Sequence, residues 1–582
     1  MVVGFEDPDI GEISSDAPTL TKDGRQMVLQ LVSSNRWELI SFDVSTAFLR
    51  GDGDGRLLGI HPPPELAEAL EMSDSDRCEL LKGAYGRVDA PFLWYKKFRD
   101  TLLGLGFRQC PLDPCVFSYT SGTGTELKVH GAIGLHVDDG IGGGDEVFRA
   151  KVEEIRAAFE FGSFEKGAFV FTGISLRQWD DGSIEMDQKA YIDKIRPIEI
   201  PKMRRQEPGS SLSPDEISAA RSLIGALQYA AVHTRPDISA RVGELQAGVP
   251  KATVQLLLDG NKLLADAKAN PVSIMVLPIN STCLSFCAFS DASFLSGTER
   301  FAHQGALIFA TTPELLSNEK AVVAPVAWIS KKIQRVTRST LGAEAIALSG
   351  AVDRLLWLRI LWAWLKCPEV DWKHPEEALQ RERQAALVTD CKSAYDLLTR
   401  VAVPQCEEHR TTIECLLIRE RLQSNCAVRW VTSGAQLADC LTKSMDPSSL
   451  RSCLKSGRYA LYDEKKVLKE RSDRKQRLKW IRDATSSEAT SFQLSDVRDS
   501  WDISDASLVV RIHQVPRTRL FAPIGVDNCP ISLDELSLER TTFGKSLGGA
   551  SWSKTDFWPG TGAHAVQPVA WVGRTVFRRK KT

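Results

Sequence analysis

A chain of 582 residues with 43% apolar and 25% charged residues is too long for one hydrophobic core and holds ample material for several packed domains. Its net charge of −2 gives no bulk signature of a nucleic-acid binder, so that case rests on local clusters. Thirteen cysteines without a C-x-x-C pair exclude a readable zinc knuckle or disulfide framework and read as thiols in a reducing compartment. Met1–Asp9 is short and acidic, unlike a secretory signal, and Leu355–Leu365 is too short to span a bilayer and carries Arg359. The expectation is an intracellular chain, in cytoplasm or nucleus, neither secreted nor bound to membrane.

In chain order, Trp37–Val44 (WELISFDV) predicts a buried strand ending in an acid, and Phe92–Leu105 an amphipathic helix. Lys128–Val137 runs into Asp138-Asp139 and then Gly140, Gly142, Gly143 and Gly144, which predicts a strand, a tight turn and a return strand. Lys151–Phe159 follows as a helix. Residues 201–280 read as mostly helical, around the breaker Arg235-Pro236-Asp237.

Strands are then expected at Cys283–Asp291, Gly305–Thr311 and Val326–Ser330, followed by a long helix, Thr340–Leu365. A strand at Ala385–Asp390, helices at Cys391–Thr399 and near Glu414–Leu422, and a strand at Ala427–Val431 complete a mixed α/β layer. Asp439 is placed at the start of a last helix. Lys465–Arg482 reads as a charged helix, and the Ser-, Thr-, Asp- and Gly-rich remainder as a partly disordered tail.

Two groups of acids stand out beside these apolar runs. Asp43 ends a strand and Asp138 and Asp139 occupy a turn, so neighbouring strands would bring three carboxylates to one sheet edge. Asp291 and Asp390 end strands, Glu344 lies on the long helix, and Asp439 lies in QLADCLTK. Ionised carboxylates beside buried segments need a positive partner, and hard oxygen ligands suit Mg²⁺ or Mn²⁺. Each group could hold two ions for phosphoryl transfer. Taken singly, an Asp-Asp-Gly turn is more often only a solvated turn, and each remaining acid more often a solvated strand end or helix face.

The segments FDVSTAFLRG, LLKGAYGRVDAPFLWYKKF, GFRQCPLDPCVF, LHVDDG, FTGI and SLIGALQYAAVHTRPDI occur in one order. That series resembles the reverse transcriptase of copia-type long-terminal-repeat retrotransposons. Further on, FSDASF, AWISKKIQRVTRSTLGAEAIAL, VTDCKSA and QLADCLTK resemble the ribonuclease H domain of the same elements. The resemblance spans roughly residues 4–460. It implies an α+β and α/β multidomain chain: a ferredoxin-like polymerase palm with fingers over residues 1–200, and a helical thumb or connection over 201–280. A ribonuclease H-like mixed sheet with helices over 283–460 and a tail over 461–582 would follow.

By the same resemblance, Asp43, Asp138 and Asp139 bind metal and catalyse at the first site, and Asp291, Glu344, Asp390 and Asp439 at the second. Phe48 would lie under the incoming sugar, and Gly173 would belong to the turn that grips the primer. Implied partners are an RNA template, a DNA primer, an RNA–DNA hybrid and deoxynucleoside triphosphates. Lys331, Lys332, Arg335 and Arg338 could follow the hybrid's phosphates or form a solvated basic edge.

The chain departs from the family in three ways. His136 replaces a tyrosine. GRVDAP at Gly86–Pro91 replaces G-L-K-Q-A-P, so that Asp89 is expected to repel a triphosphate. The fingers are expected to be truncated at the N-terminus. Trp94 and Tyr95 read as packing residues rather than substrate contacts.

Overall fold

Two layers of sheet and helix carry the acids, one group on each. The computed structural model describes residues 7–476 apart from 8, 54, 57, 74, 297–300, 463–465, 468 and 471. The expected helix Lys465–Arg482 falls largely outside the described residues, and the tail beyond it wholly outside.

In the first layer, α1 (Lys22–Asn35) is capped by the Thr21 hydroxyl, which accepts from the Gly24 N–H at 2.9 Å. The helix exits through Arg36 in the left-handed region (φ 53°) into β1 (Glu38–Val44). Pro91 in the first turn of α2 (Ala90–Gly104) fits a position whose N–H needs no helical partner. Next come β2 (Phe107–Gln109), β3 (Val116–Ser121), β4 (Lys128–His136) and β5 (Asp139–Gly144). After α3 (Glu146–Ala158), β6 (Phe161–Lys166) returns to the sheet.

The strand order is β2-β3-β4-β5-β1-β6, antiparallel throughout. Strand β1 thus lies between two partners distant in sequence, and its register sets Asp43 opposite Asp139. Glycines in β5 answer a packing need. A Cβ on Gly140 would lie 2.2 Å from the Phe42 ring, and one on Gly144 2.3 Å from Phe148. Both aromatic side chains are buried against bare backbone.

A smaller sheet follows, from β7 (Ala168–Phe171), β8 (Ile174–Gln178) and β9 (Ile184–Asp187). Helices α4 (Pro214–His233), α5 (Ser239–Gly248) and α6 (Val254–Ala269) come next. Ser213 and Glu216 form a capping box at the start of α4. The stretch read as helical ends in a strand, β10 (Ile274–Val276), which pairs with β9. Three residues are too few to show a period in sequence.

The last layer contains β11 (Ser285–Ser296), β12 (Phe301–Thr311), β13 (Ala321–Lys332), α7 (Thr340–Lys366) and β14 (Ala385–Thr389). It continues with α8 (Lys392–Thr399), α9 (His409–Leu422), β15 (Cys426–Trp430), α10 (Ser448–Ser456) and β16 (Arg458–Tyr459). Strand order is β15-β14-β11-β12-β13-β16, with β14 parallel to both β11 and β15. The strand expected to end at Asp291 continues to Ser296, so Asp291 lies midway along β11, and the parallel β11–β14 pair sets it beside Asp390, just past the end of β14.

The two layers are joined through α1 and α4. Asp23 on α1 accepts from Arg354 on α7 at 2.6 Å, and the Trp328 indole on β13 donates to the Ala231 carbonyl on α4 at 2.8 Å. Among the described residues no helix is long and apolar enough to cross a membrane.

Two carboxylate clusters as candidate metal sites

Strand β1, its partner β5 and the turn between β4 and β5 build the first cluster. Ligand oxygens of Asp43, Asp138 and Asp139 lie within 4.8 Å of one another, and all three residues are half-buried. The turn holds just two residues, because His136 pairs with Asp139. The Val44 N–H donates to the Asp138 carbonyl at 3.1 Å. The Trp94 indole on α2 donates to the Val137 carbonyl at 2.7 Å. Crowding shows in the titration of the acids. Burial, then the charge of Asp138, raises the Asp43 carboxyl above its usual range. Asp139 is raised by burial and by Asp138 and Asp43, while His136 pulls it the other way.

Phe48 follows β1 in a short helical turn, Ala47–Arg50, and meets Tyr85 edge-on at 5.3 Å between ring centroids. Gly173 (φ 75°) and Thr172 (φ 46°) form the left-handed turn between β7 and β8. The Tyr229 hydroxyl on α4 donates to the Thr172 carbonyl. Trp94 and Tyr95 are buried core residues, each with its polar tip on a backbone carbonyl.

Asp89 corrects one expectation. Its carboxylate is buried and accepts from Arg87 at 2.8 and 2.6 Å and from Arg56 at 3.1 Å. A charge shared by two guanidiniums is neutralised where it stands and exerts little repulsion on a triphosphate.

In the second cluster, Asp291, Asp390 and Asp439 place ligand oxygens within 4.8 Å of one another. Asp291 is fully buried midway along the central strand β11, against which α7 packs. Asp439 opens a 3₁₀ turn, Asp439–Leu441, rather than the expected helix; the next helix is α10. Glu344 projects from the first turns of α7 with one carboxylate oxygen, Oε2, buried and without a hydrogen-bond partner. Burial, then Asp291 and Asp390, push its carboxyl up to about 9. Burial also dominates at Asp439, pushed up to about 6 against the opposing pull of Lys443.

Sequence reading missed Lys443. Its Nζ lies 2.6 Å from Asp439 and 3.2 Å from Asp291. The signal was present in QLADCLTK, where the lysine stands four residues after the aspartate. Thr442 donates to Asp291, and Ser433 donates to Asp390 at 2.7 Å. Of the four basic residues singled out, Arg335 pairs with Glu414 at 3.0 Å and Lys332 sits over the Phe301 ring.

Both clusters fit divalent cations. Their donors are carboxylate oxygens, burial and then mutual repulsion raise several of the acids, and the orphaned Glu344 oxygen lacks the partner that burial demands.

Residues 5–203 match the family model "Reverse transcriptase (RNA-dependent DNA polymerase)". A Retrovirus-related Pol polyprotein from transposon RE1 of Arabidopsis thaliana is 24% identical over 465 residues, covering 76% of this chain and 29% of the relative. The corresponding polyprotein from transposon TNT 1-94 of Nicotiana tabacum is 22% identical over 478 residues, covering 78% and 33%. This chain therefore spans about a third or less of the length of these relatives. Among solved structures, a foamy viral protease-reverse transcriptase in complex with RNA/DNA hybrid aligns over 74% of this chain and 48% of its own, at 11% identity and a TM-score of 0.38. Residues 5–203 thus match a reverse transcriptase family, and over about three quarters of its length the chain is similar to retrovirus-related Pol polyproteins of plant transposons.

Proposed function

We propose that the chain is an RNA-directed DNA polymerase with ribonuclease H activity, each reaction served by one carboxylate cluster and by Mg²⁺ or Mn²⁺. The observation that carries this reading is the convergence of two separate sets of three acids, each within 4.8 Å, on interior strands of two sheets of one chain. Asp43, Asp138 and Asp139 would hold the ions of the polymerase, and Asp291, Glu344, Asp390 and Asp439 those of the nuclease. A bound divalent ion would activate an attacking hydroxyl or water and neutralise charge on the phosphate. The chain's own residues fix the carboxylates in place. Residues 1–200 then serve as palm and fingers, 201–280 as thumb or connection and 283–460 as the ribonuclease H domain. Substrates would be an RNA template, a DNA primer, deoxynucleoside triphosphates and the RNA–DNA hybrid, met in cytoplasm or nucleus. Phe48 would contact the incoming sugar, and the Thr172–Gly173 turn the primer.

A second reading, in which only the nuclease works, is favoured by the Arg56–Asp89–Arg87 cluster. Where the resemblance places groups near the nucleotide, two guanidiniums are committed to one carboxylate, and Arg56 also meets Asp7 and Asp9.

Primer extension on an RNA template and cleavage of an RNA–DNA hybrid, each with Mg²⁺ or Mn²⁺, separate the readings. Extension lost in Asp138→Asn and cleavage lost in Asp390→Asn support both activities. Cleavage without extension selects the second reading. Activity indifferent to both substitutions refutes the site assignments.

A further inference from the structure

Val137 stands in a conformation that its side chain opposes. With φ 62° it is a β-branched residue in the left-handed region, whereas Asp138 has no positive φ. In a two-residue hairpin loop, positive φ at the first central position alone is the pattern for which glycine is preferred there. Valine is an unfavoured choice, and such a conformation persists only where the surroundings over-determine it.

Two hydrogen bonds do so, one on each carbonyl of the turn. The Asp138 carbonyl accepts from the Val44 N–H at 3.1 Å, which ties the turn to β1. The Val137 carbonyl accepts from the Trp94 Nε1–H at 2.7 Å. The indole cannot drift from this position. Trp94 is 1% exposed, with ring centroids of Phe98 and Phe159 at 5.5 and 5.2 Å. The backbone beside it is equally confined, because a Cβ on Gly51 would lie 3.0 Å from the Trp94 nitrogen. An indole N–H only donates, and a buried one needs an acceptor.

We propose that Trp94 is a positioning residue of the first carboxylate site: its indole N–H holds the Val137 carbonyl, keeps Val137 left-handed, and so presents Asp138 and Asp139 to Asp43. The inference rests on reading that cluster as a metal site. A tryptophan that only fills core could be replaced by another large ring without effect on the turn. One that holds the turn by a hydrogen bond becomes dispensable once the turn no longer resists.

Val137→Gly supplies that condition, since glycine enters the left-handed region without a steric penalty. The test uses the full chain carrying Asp390→Asn, which weakens the second cluster, with Mn²⁺ as the probe and unbound Mn²⁺ read by electron paramagnetic resonance. Trp94→Phe should weaken binding at the first cluster about tenfold, the size of one buried hydrogen bond. Adding Val137→Gly to Trp94→Phe should recover most of that loss. Should Trp94→Phe fail to fold, benzothienylalanine at position 94 keeps the bicyclic shape, replaces the N–H by sulfur and should give the same loss and rescue.

Unchanged Mn²⁺ affinity without the N–H overturns the proposal, and so does a loss that Val137→Gly leaves in place. Asp138→Asn is the control for the underlying reading. If it leaves binding unaltered, the cluster is no metal site and the proposal falls with it. If it abolishes binding while removal of the indole N–H does not, only the role of Trp94 is lost.

Discussion

Arg235 and Asp237 form a buried two-pronged ion pair, with Nε and Nη2 donating to the two carboxylate oxygens at 2.8 and 2.9 Å. Arg451 on α10 shares the same carboxylate at 2.8 Å, and Arg235 also donates to the Ala267 carbonyl on α6 at 2.8 Å. The breaker between α4 and α5 is thus a latch that fastens this helical region to the helix beyond the second cluster. Removing one member of such a network leaves buried charge behind, so Asp237→Ala should cost about 3–5 kcal/mol. Urea unfolding measures this; a loss below about 1 kcal/mol would assign the pair to the ordinary surface class.

Asp89 offers a second test of buried charge. Asp89→Leu removes the carboxylate that Arg87 and Arg56 share and should destabilise by about 3–5 kcal/mol. The double change Arg87→Leu with Asp89→Gln takes away the charge on both sides and should lie closer to the parent chain than Asp89→Leu does. Additive losses would show that the two side chains contribute independently.

Glu344 makes the metal-free fold sensitive to pH. Its carboxyl sits near 9 in the folded chain against an ordinary 4.5, so the folded state keeps a proton that the unfolded state releases between those values. Its contribution to stability is therefore full below about pH 4.5 and falls as pH rises towards 9, by up to about 1.4 kcal/mol per pH unit. Glu344→Gln should flatten that decline in the chelator-treated chain, read as melting temperature against pH. Parallel profiles for the two chains would rule out a proton on Glu344.

Lys443 occupies the space between Asp439 and Asp291 with a fixed positive charge. A divalent ion entering there must displace it or share the carboxylates with it. Lys443→Met should lower the melting temperature of the metal-free chain and enlarge the rise that Mn²⁺ produces, with affinity about tenfold tighter. An unchanged or smaller Mn²⁺-induced rise would show that the lysine helps hold the ion.

Periodicity and acid placement made much of this architecture readable. The strand ending in Asp43, the hairpin at Asp138-Asp139 and the long helix carrying Glu344 follow from alternation, a glycine-rich return and a sustained apolar run. What stayed hidden depended on tertiary partners. The short strand Ile274–Val276 exists because β9 offers it an edge. Asp89 read as an isolated negative charge because the bidentate bond from nearby Arg87 depends on the backbone conformation, and Arg56 lies 33 positions away in sequence. Lys443 was passed over although it stands four residues after Asp439, because its second partner, Asp291, is brought to it only by the fold. Trp94 was read correctly as packing, while the bond from its indole to Val137 depends on a backbone conformation that no local pattern shows.

The bareness of β5 has a consequence for the order of assembly. Four of its six residues are glycine, and among them only Ile141 brings a sizeable apolar side chain. Glycine weakens a strand and leaves little surface to drive collapse. Such a segment cannot nucleate structure; it must be recruited onto β1, β4 and the rings of Phe42 and Phe148 after these have formed. Asp138 and Asp139 therefore reach Asp43 late in folding. Amide hydrogens of Ile141–Gly143 should exchange ahead of those in β4 as denaturant rises, so the carboxylate edge comes apart before the core that supports it.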